Sequence, residues 1–146
     1  MLRSVKTKLL ALAAAGAFAL TGLAAPAQAQ SGQPITIGFG MALTGPLAAN
    51  GKQALLGMKL WEEEVNAKGG LLGRPVQLIH YDDQSNPALV PGIYTKLLDV
   101  DKIDLAVASG TNYSAAAMPL LIQHQVMVLD TLALAVNDEF HYPRFF

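Results

Sequence analysis

The stretch GFGMALTGPLAANG, residues 38–51, follows an alternating apolar segment and leads into a predicted amphipathic helix. A glycine-rich turn between a strand and a helix is a common setting for a phosphate-binding loop. The stretch has the first two glycines of a G-x-G-x-x-G pattern, but Leu43 stands where the third would be, and no Walker lysine follows. It therefore predicts a strand, a turn at Gly45 and Pro46, and a helix starting near Asn50, without a nucleotide signature.

Outward from this stretch, strand and helix patterns alternate four times. The predicted strands are ITIGFG, VQLIHY, DLAVAS and VMVLD, and apolar residues at helical spacing predict the helices between them. In the first helix, residues 62–64 are predicted to be solvated, whereas the core side would be formed by Ala54, Met58, Trp61 and Val65. These apolar strands predict an α/β fold, a doubly wound parallel sheet with helices on both faces and right-handed crossovers.

The second and third helices also have sequence signals, for the capping of one and for the core-facing side of the other. Ser85 or Asn86 can cap the second helix, with Pro87 in its first turn. The third helix follows the segment SGTNYS and is predicted to face the core with Ala116, Leu120 and either Gln123 or Ile122.

Asp82 and Asp83 are paired carboxylates at a strand end, which could indicate a metal site or acid–base chemistry. No histidine or further acid recurs at metal-ligand spacing, and the segment DDQSNP is typical of a turn, so a structural role is favoured. The scattered His80, His124 and His141 lie in no serine or cysteine nucleophile motif. We therefore predict no catalytic residue, no metal ligand and no cofactor.

Residues 1–29 read as a secretory signal peptide. Arg3, Lys6 and Lys8 form a basic head, an apolar centre follows, and AQA provides the small-x-small pattern that signal peptidase cuts. The alternative is a transmembrane anchor, but the apolar run is barely long enough and Pro26 breaks it before the cleavage site. A chain exported in this way is predicted to be periplasmic.

The charge and the cysteine content of the chain exclude a nucleic-acid-binding protein and a disulfide-stabilised one. Beyond residue 29 the chain carries seven Lys and Arg against eleven Asp and Glu, so it lacks the basic patch that a nucleic-acid partner requires. It also has no cysteine, so its stability depends on a buried core.

The combination of LTGPLAANG, VNAKGGLLGRPV and YDDQSNP, in this order and spacing, resembles the periplasmic solute-binding proteins of ABC importers, of the branched-chain amino acid (Leu/Ile/Val-binding) type. The resemblance implies two α/β lobes that close on a small ligand, which is then delivered to a permease in the inner membrane. Residues 30–146 would be the first part of the N-terminal lobe. The aromatic ending HYPRFF, where another strand is due, also suggests a fragment without the second lobe.

The resemblance also implies site residues. The segment after the third strand would present hydroxyl groups and N–H groups to the ligand carboxylate, which points to Thr111, Asn112 and Tyr113. Thr111 or Asn112 could instead cap the third helix. Asn50 is a further candidate contact, with helix capping as its alternative role.

The turn after the fourth strand is the second implied contact, at Leu132, Ala133 and Leu134. Leu134 stands about where the resemblance places a threonine. An apolar wall satisfies neither the carboxylate nor the ammonium of an amino acid, so an aromatic or aliphatic acid is an alternative ligand to a branched-chain or other amino acid.

The function predicted first is capture of a small carboxylate for ABC import, with no bond made or broken. One alternative is a sensor domain of the same fold. Another is an exported α/β enzyme, which would need a nucleophile elbow or a complete dinucleotide loop, and this chain has neither.

Overall fold

The computed structural model describes residues 32–146, so the predicted signal peptide lies outside the described residues. One parallel sheet has the strand order β2-β1-β3-β4, with β1 at Ile35–Met41, β2 at Val76–Asp82, β3 at Leu105–Ala108 and β4 at Met127–Asp130. The helices are α1 at Ala48–Ala67, α2 at Val90–Asp99, α3 at Thr111–Gln123 and α4 at Val136–Phe140, with a 3-10 turn at Pro87–Leu89 before α2. The predicted α/β class and parallel sheet are confirmed.

The helices divide between the two faces of the sheet. The chain moves one way along the sheet from β1 to β2 and the other way from β2 to β3 and β4, so right-handed crossovers put α1 on one face and α2 and α3 on the other. On the α2–α3 face, Ala106 and Ala108 of β3 are buried in the same core cluster as Leu97 of α2 and Met118 of α3. Gly38 of β1 likewise leaves room for α2, since a β-carbon there would lie 3.0 Å from the Leu97 side chain.

The helix α1 covers β1 and β2, but with only two of the four predicted residues, Met58 and Val65. Trp61 is 41% exposed and Ala54 is also exposed, so the prediction that both face the core is wrong. Besides Met58 and Val65, the side of α1 that is turned to the sheet is formed by Gly51, Leu55 and Glu62. Glu62 belongs to this side because its carboxylate accepts a hydrogen bond from the N–H of Leu78 at 2.8 Å.

Among the described residues, the β3–β4 half of the α1 face has no helix over it. Met127 and Leu129 of β4 are 45% and 47% exposed there. At the edge beyond β4, the chain from Arg144 to Phe146 lies alongside as the predicted next strand would. The N–H of Phe146 donates to the carbonyl of Val128 at 2.9 Å, and the carbonyl of Phe146 accepts from the N–H of Asp130 at 2.8 Å.

Candidate functional site

A cavity of about 260 Å³ lies at the edge of the sheet where the strands end. The loops after all four strands meet there, because the carboxyl ends of parallel strands all reach the same edge. The cavity is lined by Gly40, Met41, Ala42, Leu47, Asn50, Gly51, Ala54, Asp83, Ser109, Gly110, Tyr113 and Leu132. The region that the strand pattern predicted to bind ligand is therefore a concave surface between the N-termini of α1 and α3.

The loop between β1 and α1 is fixed by Asp82 at the end of β2. One carboxylate oxygen of Asp82 accepts from the N–H groups of Leu43 at 2.9 Å, Thr44 at 3.2 Å and Gln84 at 2.8 Å. The other accepts from the hydroxyl of Thr44 at 2.7 Å. These hydrogen bonds, that of the Thr44 hydroxyl first, lower the pKa of Asp82 to about 2 from its usual value near 3.8. Asp82 therefore has the structural role that the turn motif predicted.

The hydrogen bonds that the Asp82 carboxylate accepts predict that the stability of the fold decreases at acid pH. A carboxyl whose pKa is lower in the folded than in the unfolded state stabilises the fold above its unfolded pKa, and this stabilisation is lost as the pH falls toward the folded value. We expect Asp82→Asn to lower the melting temperature at pH 7, and most of the difference from the wild type to disappear between about pH 4 and pH 2. Thermal denaturation of both proteins across this pH range measures the difference in melting temperature. A difference that stays constant with pH would contradict the stabilising role of the Asp82 carboxylate.

The first turn of α1 borders the cavity. The helix begins at Ala48, two residues before the predicted start, and Leu47 occupies the cap position without a side-chain hydrogen bond. The capping role considered for Asn50 is therefore wrong, because this residue lies within the first turn and lines the cavity. The hydroxyl of Ser85 takes over part of the capping by accepting the N–H of Leu47 at 3.0 Å.

The N-terminus of α3 has no side-chain cap. Gly110 occupies the cap position with φ 92°, a left-handed conformation that favours glycine. The capping roles considered for Thr111 and Asn112 are wrong, because the hydroxyl of Thr111 accepts the N–H of Leu134 at 3.1 Å instead. Within residues 32–146 the main-chain N–H groups of Thr111 and Asn112 have no acceptor. Two donors at the positive end of the helix dipole are thus available to an anion.

The structure brings some of the predicted site residues together and leaves others apart. Asn50, Tyr113 and Leu132 line the cavity. Thr111 and Asn112 directly follow the lining residue Gly110 in the chain but are not themselves among the lining residues, so their contact with a ligand stays a prediction. Ala133 and Leu134 lie outside the lining, and Leu134 is 81% exposed. Their contact with a ligand stays a prediction.

Ser109 and Asp83 line the cavity although neither was predicted to bind ligand. Ser109 directly follows β3, and its hydroxyl accepts from that of Thr131 at 3.2 Å, which leaves its own proton free to donate. Its position right after a buried strand was the available signal. Asp83 was assigned to the turn, and it does serve there, since its Oδ1 accepts the N–H of Ser85 at 2.8 Å.

Asp83 is a charged residue of the cavity lining that is only 3% exposed. Burial raises its pKa, and the negative charge of Asp82 adds to this effect. Burial also raises the pKa of Tyr113, with a smaller contribution from Asp83. The cavity therefore combines hydrogen-bond donors at α3 with one carboxyl group on the β2 side.

Residues 32–146 contain neither a group of potential metal ligands nor a membrane-spanning helix. Between residues 32 and 146 no three His, Cys, Asp or Glu side chains are grouped so that they could hold a metal ion. His80 stacks on Phe39 beneath α1, with ring centroids 5.6 Å apart, which is a packing role. No helix in the described range is long and apolar enough to cross a membrane.

Comparison with known proteins gives one family. The profile of the family described as periplasmic binding protein matches residues 34–146. The Leu/Ile/Val-binding protein BraC3 of Rhizobium johnstonii is 47% identical over 53 residues, which are 36% of this chain and 14% of that protein. This chain thus spans only a small part of the curated relatives that it matches.

Solved structures agree with the fold. The branched-chain amino acid transporter substrate binding protein LivJ from Streptococcus pneumoniae, in complex with isoleucine, superposes with a TM-score of 0.69 at 26% identity, over 77% of this chain and 33% of that one. An ABC transporter substrate-binding protein from Sphaerobacter thermophilus superposes with a TM-score of 0.66 at 28% identity, over 77% and 31% of the two chains.

Proposed function

Because the chain belongs to the periplasmic binding protein family, we propose that it forms the first part of the N-terminal lobe of a solute-binding receptor. The receptor captures an amino acid or another small carboxylate in the periplasm and delivers it to an ABC permease in the inner membrane. The signal peptide predicted at residues 1–29 supports the export that this function requires.

The observation that carries the proposal is the uncapped N-terminus of α3 beside the cavity. The free N–H groups of Thr111 and Asn112, together with the hydroxyl of Ser109, provide the donors that a carboxylate needs. A carboxylate bound there replaces the missing side-chain cap and interacts favourably with the helix dipole.

The rest of the cavity suits the body of a small organic acid. Tyr113 and Leu132 offer an aromatic ring and an aliphatic side chain, and Asn50 adds an amide to the lining. The Rhizobium relative is named for leucine, isoleucine and valine, and the Streptococcus protein was crystallised with isoleucine, which supports an amino acid over an acid without an amino group.

The mechanism is binding without chemistry. We propose that the cavity is one side of a cleft, that a second lobe outside the described residues closes over the ligand, and that affinity for the closed state drives capture. Closure removes water from the hydrogen bonds at α3, which strengthens them.

The proposal is tested by titrating acids and their matched amides into the complete exported protein that carries this sequence. Calorimetry with L-leucine, L-leucinamide, 4-hydroxybenzoate and 4-hydroxybenzamide compares ligands that differ only in the carboxylate. We expect at least one acid to bind and its amide to bind about 10-fold more weakly, because a hydrogen bond to a charged acceptor is the stronger one. An amide that binds as tightly as its acid, or no binding by either acid, would contradict the proposal.

A further inference from the structure

The helix α1 has apolar side chains on the side that is turned away from the sheet. Leu56 is 60% exposed and Leu60 is 57% exposed. At about 3.6 residues per turn, Leu60 lies on the opposite side of the helix from the buried Gly51. Leu56 lies next to Leu60, one turn earlier. The uncovered half of the sheet is at β3 and β4, whereas the two leucines point away from the sheet, so they form a separate apolar surface.

Polar side chains extend this surface at both ends. Lys52 and Gln53 lie one turn before the leucine pair, and Glu63 lies one turn after it. All three side chains are exposed. Neither Lys52 nor Glu63 belongs to an ion pair within residues 32–146. The surface therefore has two leucines at its centre and one unpaired charge of opposite sign at each end.

The other charged residues of this part of α1 are engaged or lie to one side. The ammonium of Lys68 pairs with the carboxylate of Glu64 at 2.5 Å. Burial lowers the pKa of His80, and the charge of Lys59 adds to this effect, which places Lys59 on the β2 side of the helix. Lys52 and Glu63 are thus the charges that remain for a contact along the leucine surface.

These positions have the symmetry that a contact between two copies of α1 requires. In an interface with a twofold axis, residue i of one copy contacts residue j of the other, and j contacts i in return. An antiparallel pair of helices centred near residue 58 places Leu56 against Leu60 of the other copy, and Gln53 against Glu63 of the other copy. Positions 53, 56, 60 and 63 also have the alternating three- and four-residue spacing of a seam between two helices.

The charges fit the same arrangement. At about 100° per residue, Lys52 and Glu63 lie on the same side of this seam. In an antiparallel pair, residues on the same side of the seam and at opposite ends meet each other. Lys52 of each copy therefore comes close to Glu63 of the other copy, and the contact contains two ion pairs that a single copy cannot form.

We propose that the complete protein forms an antiparallel homodimer through this side of α1, with the leucines at the centre and a Lys52–Glu63 ion pair at each end. One helix of 20 residues is about 30 Å long, so the contact is smaller than the roughly 1,600 Å² of a standard interface. We therefore expect a dissociation constant of about 10 to 100 µM. The inference goes beyond the proposed function, and it leaves the cavity open, because Asn50, Gly51 and Ala54 line the cavity and lie outside the seam.

Sedimentation velocity of the complete exported protein between about 1 and 500 µM tests the dimer. The wild type is expected to change from monomer to dimer across this range. Leu60→Glu is expected to raise the dissociation constant at least about 10-fold, because it places a carboxylate against an apolar side chain. Leu72→Glu is the matched control, since Leu72 is 95% exposed and lies outside α1, and it is expected to dimerise like the wild type.

Charge reversal tests the antiparallel pairing. Lys52→Glu and Glu63→Lys are each expected to raise the dissociation constant about 10-fold, because each places like charges together at both ends of the contact. The double variant restores both ion pairs with reversed sign and is expected to dimerise nearly as well as the wild type.

Three results would overturn the inference. They are a wild type that stays monomeric up to about 500 µM, a dimer that Leu60→Glu leaves as stable as the wild type, and a double variant that is no better than the single reversals. The first of these needs no variant, so it decides the question even if a substitution prevents folding. Equal melting temperatures of the variants and the wild type show that the substitutions act on the contact and not on the fold.

Discussion

Gly51→Ala is expected to destabilise the protein by about 3 kcal/mol, whereas Gly57→Ala, two turns further along the same helix, is expected to stabilise it by up to about 1 kcal/mol. A β-carbon on Gly51 would lie 1.9 Å from the carbonyl oxygen of Ala42, and a backbone atom cannot move aside as a flexible side chain can. A β-carbon on Gly57 meets no atom within 4 Å, so there alanine contributes only its higher helix propensity.

The difference between the two variants tests how α1 is docked. Gly51 lets the first turn of α1 touch the end of β1, and this contact forms one wall of the cavity. Thermal and urea denaturation of both variants measures the two effects, and circular dichroism checks that helix content is retained. Equal stability of Gly51→Ala and Gly57→Ala would show that α1 does not approach Ala42 as closely as described.

The fold was predictable because its signals are local. An alternating strand such as residues 35–40, an amphipathic helix and a glycine ending at Gly69 and Gly70 each depend on residues close together in the chain. Right-handed crossovers then restrict the topology. The cap at Asn86, whose side chain accepts the N–H of Ala88 at 3.0 Å, is of the same local kind and is confirmed.

The rotation of the helices was harder to predict, because apolar residues occur on more than one side. In α3 the predicted core residues Ala116 and Leu120 are only half-buried, whereas the fully buried residues are Ser114, Ala117, Met118 and Leu121. In α1 the hydrogen bond from Leu78 to Glu62 turns a charged residue toward the sheet, and no helical periodicity contains this information.

The site depends on contacts between loops that are distant in sequence. Asp82 holds Thr44 across 38 residues, and Thr111 accepts a hydrogen bond from Leu134 across 23. The turn motif explains the hydrogen bond between Asp83 and Ser85, but only the packed structure shows that Asp83 also lines the cavity. A single sequence therefore indicated the edge of the sheet at which the cavity lies, but only some of the side chains that line it.

Thr111→Pro is expected to weaken binding of the carboxylate ligand by about 10- to 100-fold relative to Thr111→Val, because a lost hydrogen bond to a charged group has an effect of this size. Proline removes the N–H of residue 111, yet it suits the first position of a helix, and the ψ of 129° at Gly110 is compatible with a following proline. Valine keeps the N–H and the shape of the side chain. Both variants lose the hydroxyl that accepts the Leu134 N–H, so the comparison isolates one main-chain donor.

The decisive measurement is the ratio of the dissociation constants of these two variants for the acid that binds the wild type, determined by calorimetry on proteins with matching melting temperatures. A ratio of about 10 or more, with Thr111→Val close to the wild type, is the expected result if the N-terminus of α3 holds the carboxylate. Equal affinities would contradict it, because the ligand would then bind without the helix N-terminus on which the proposed function depends.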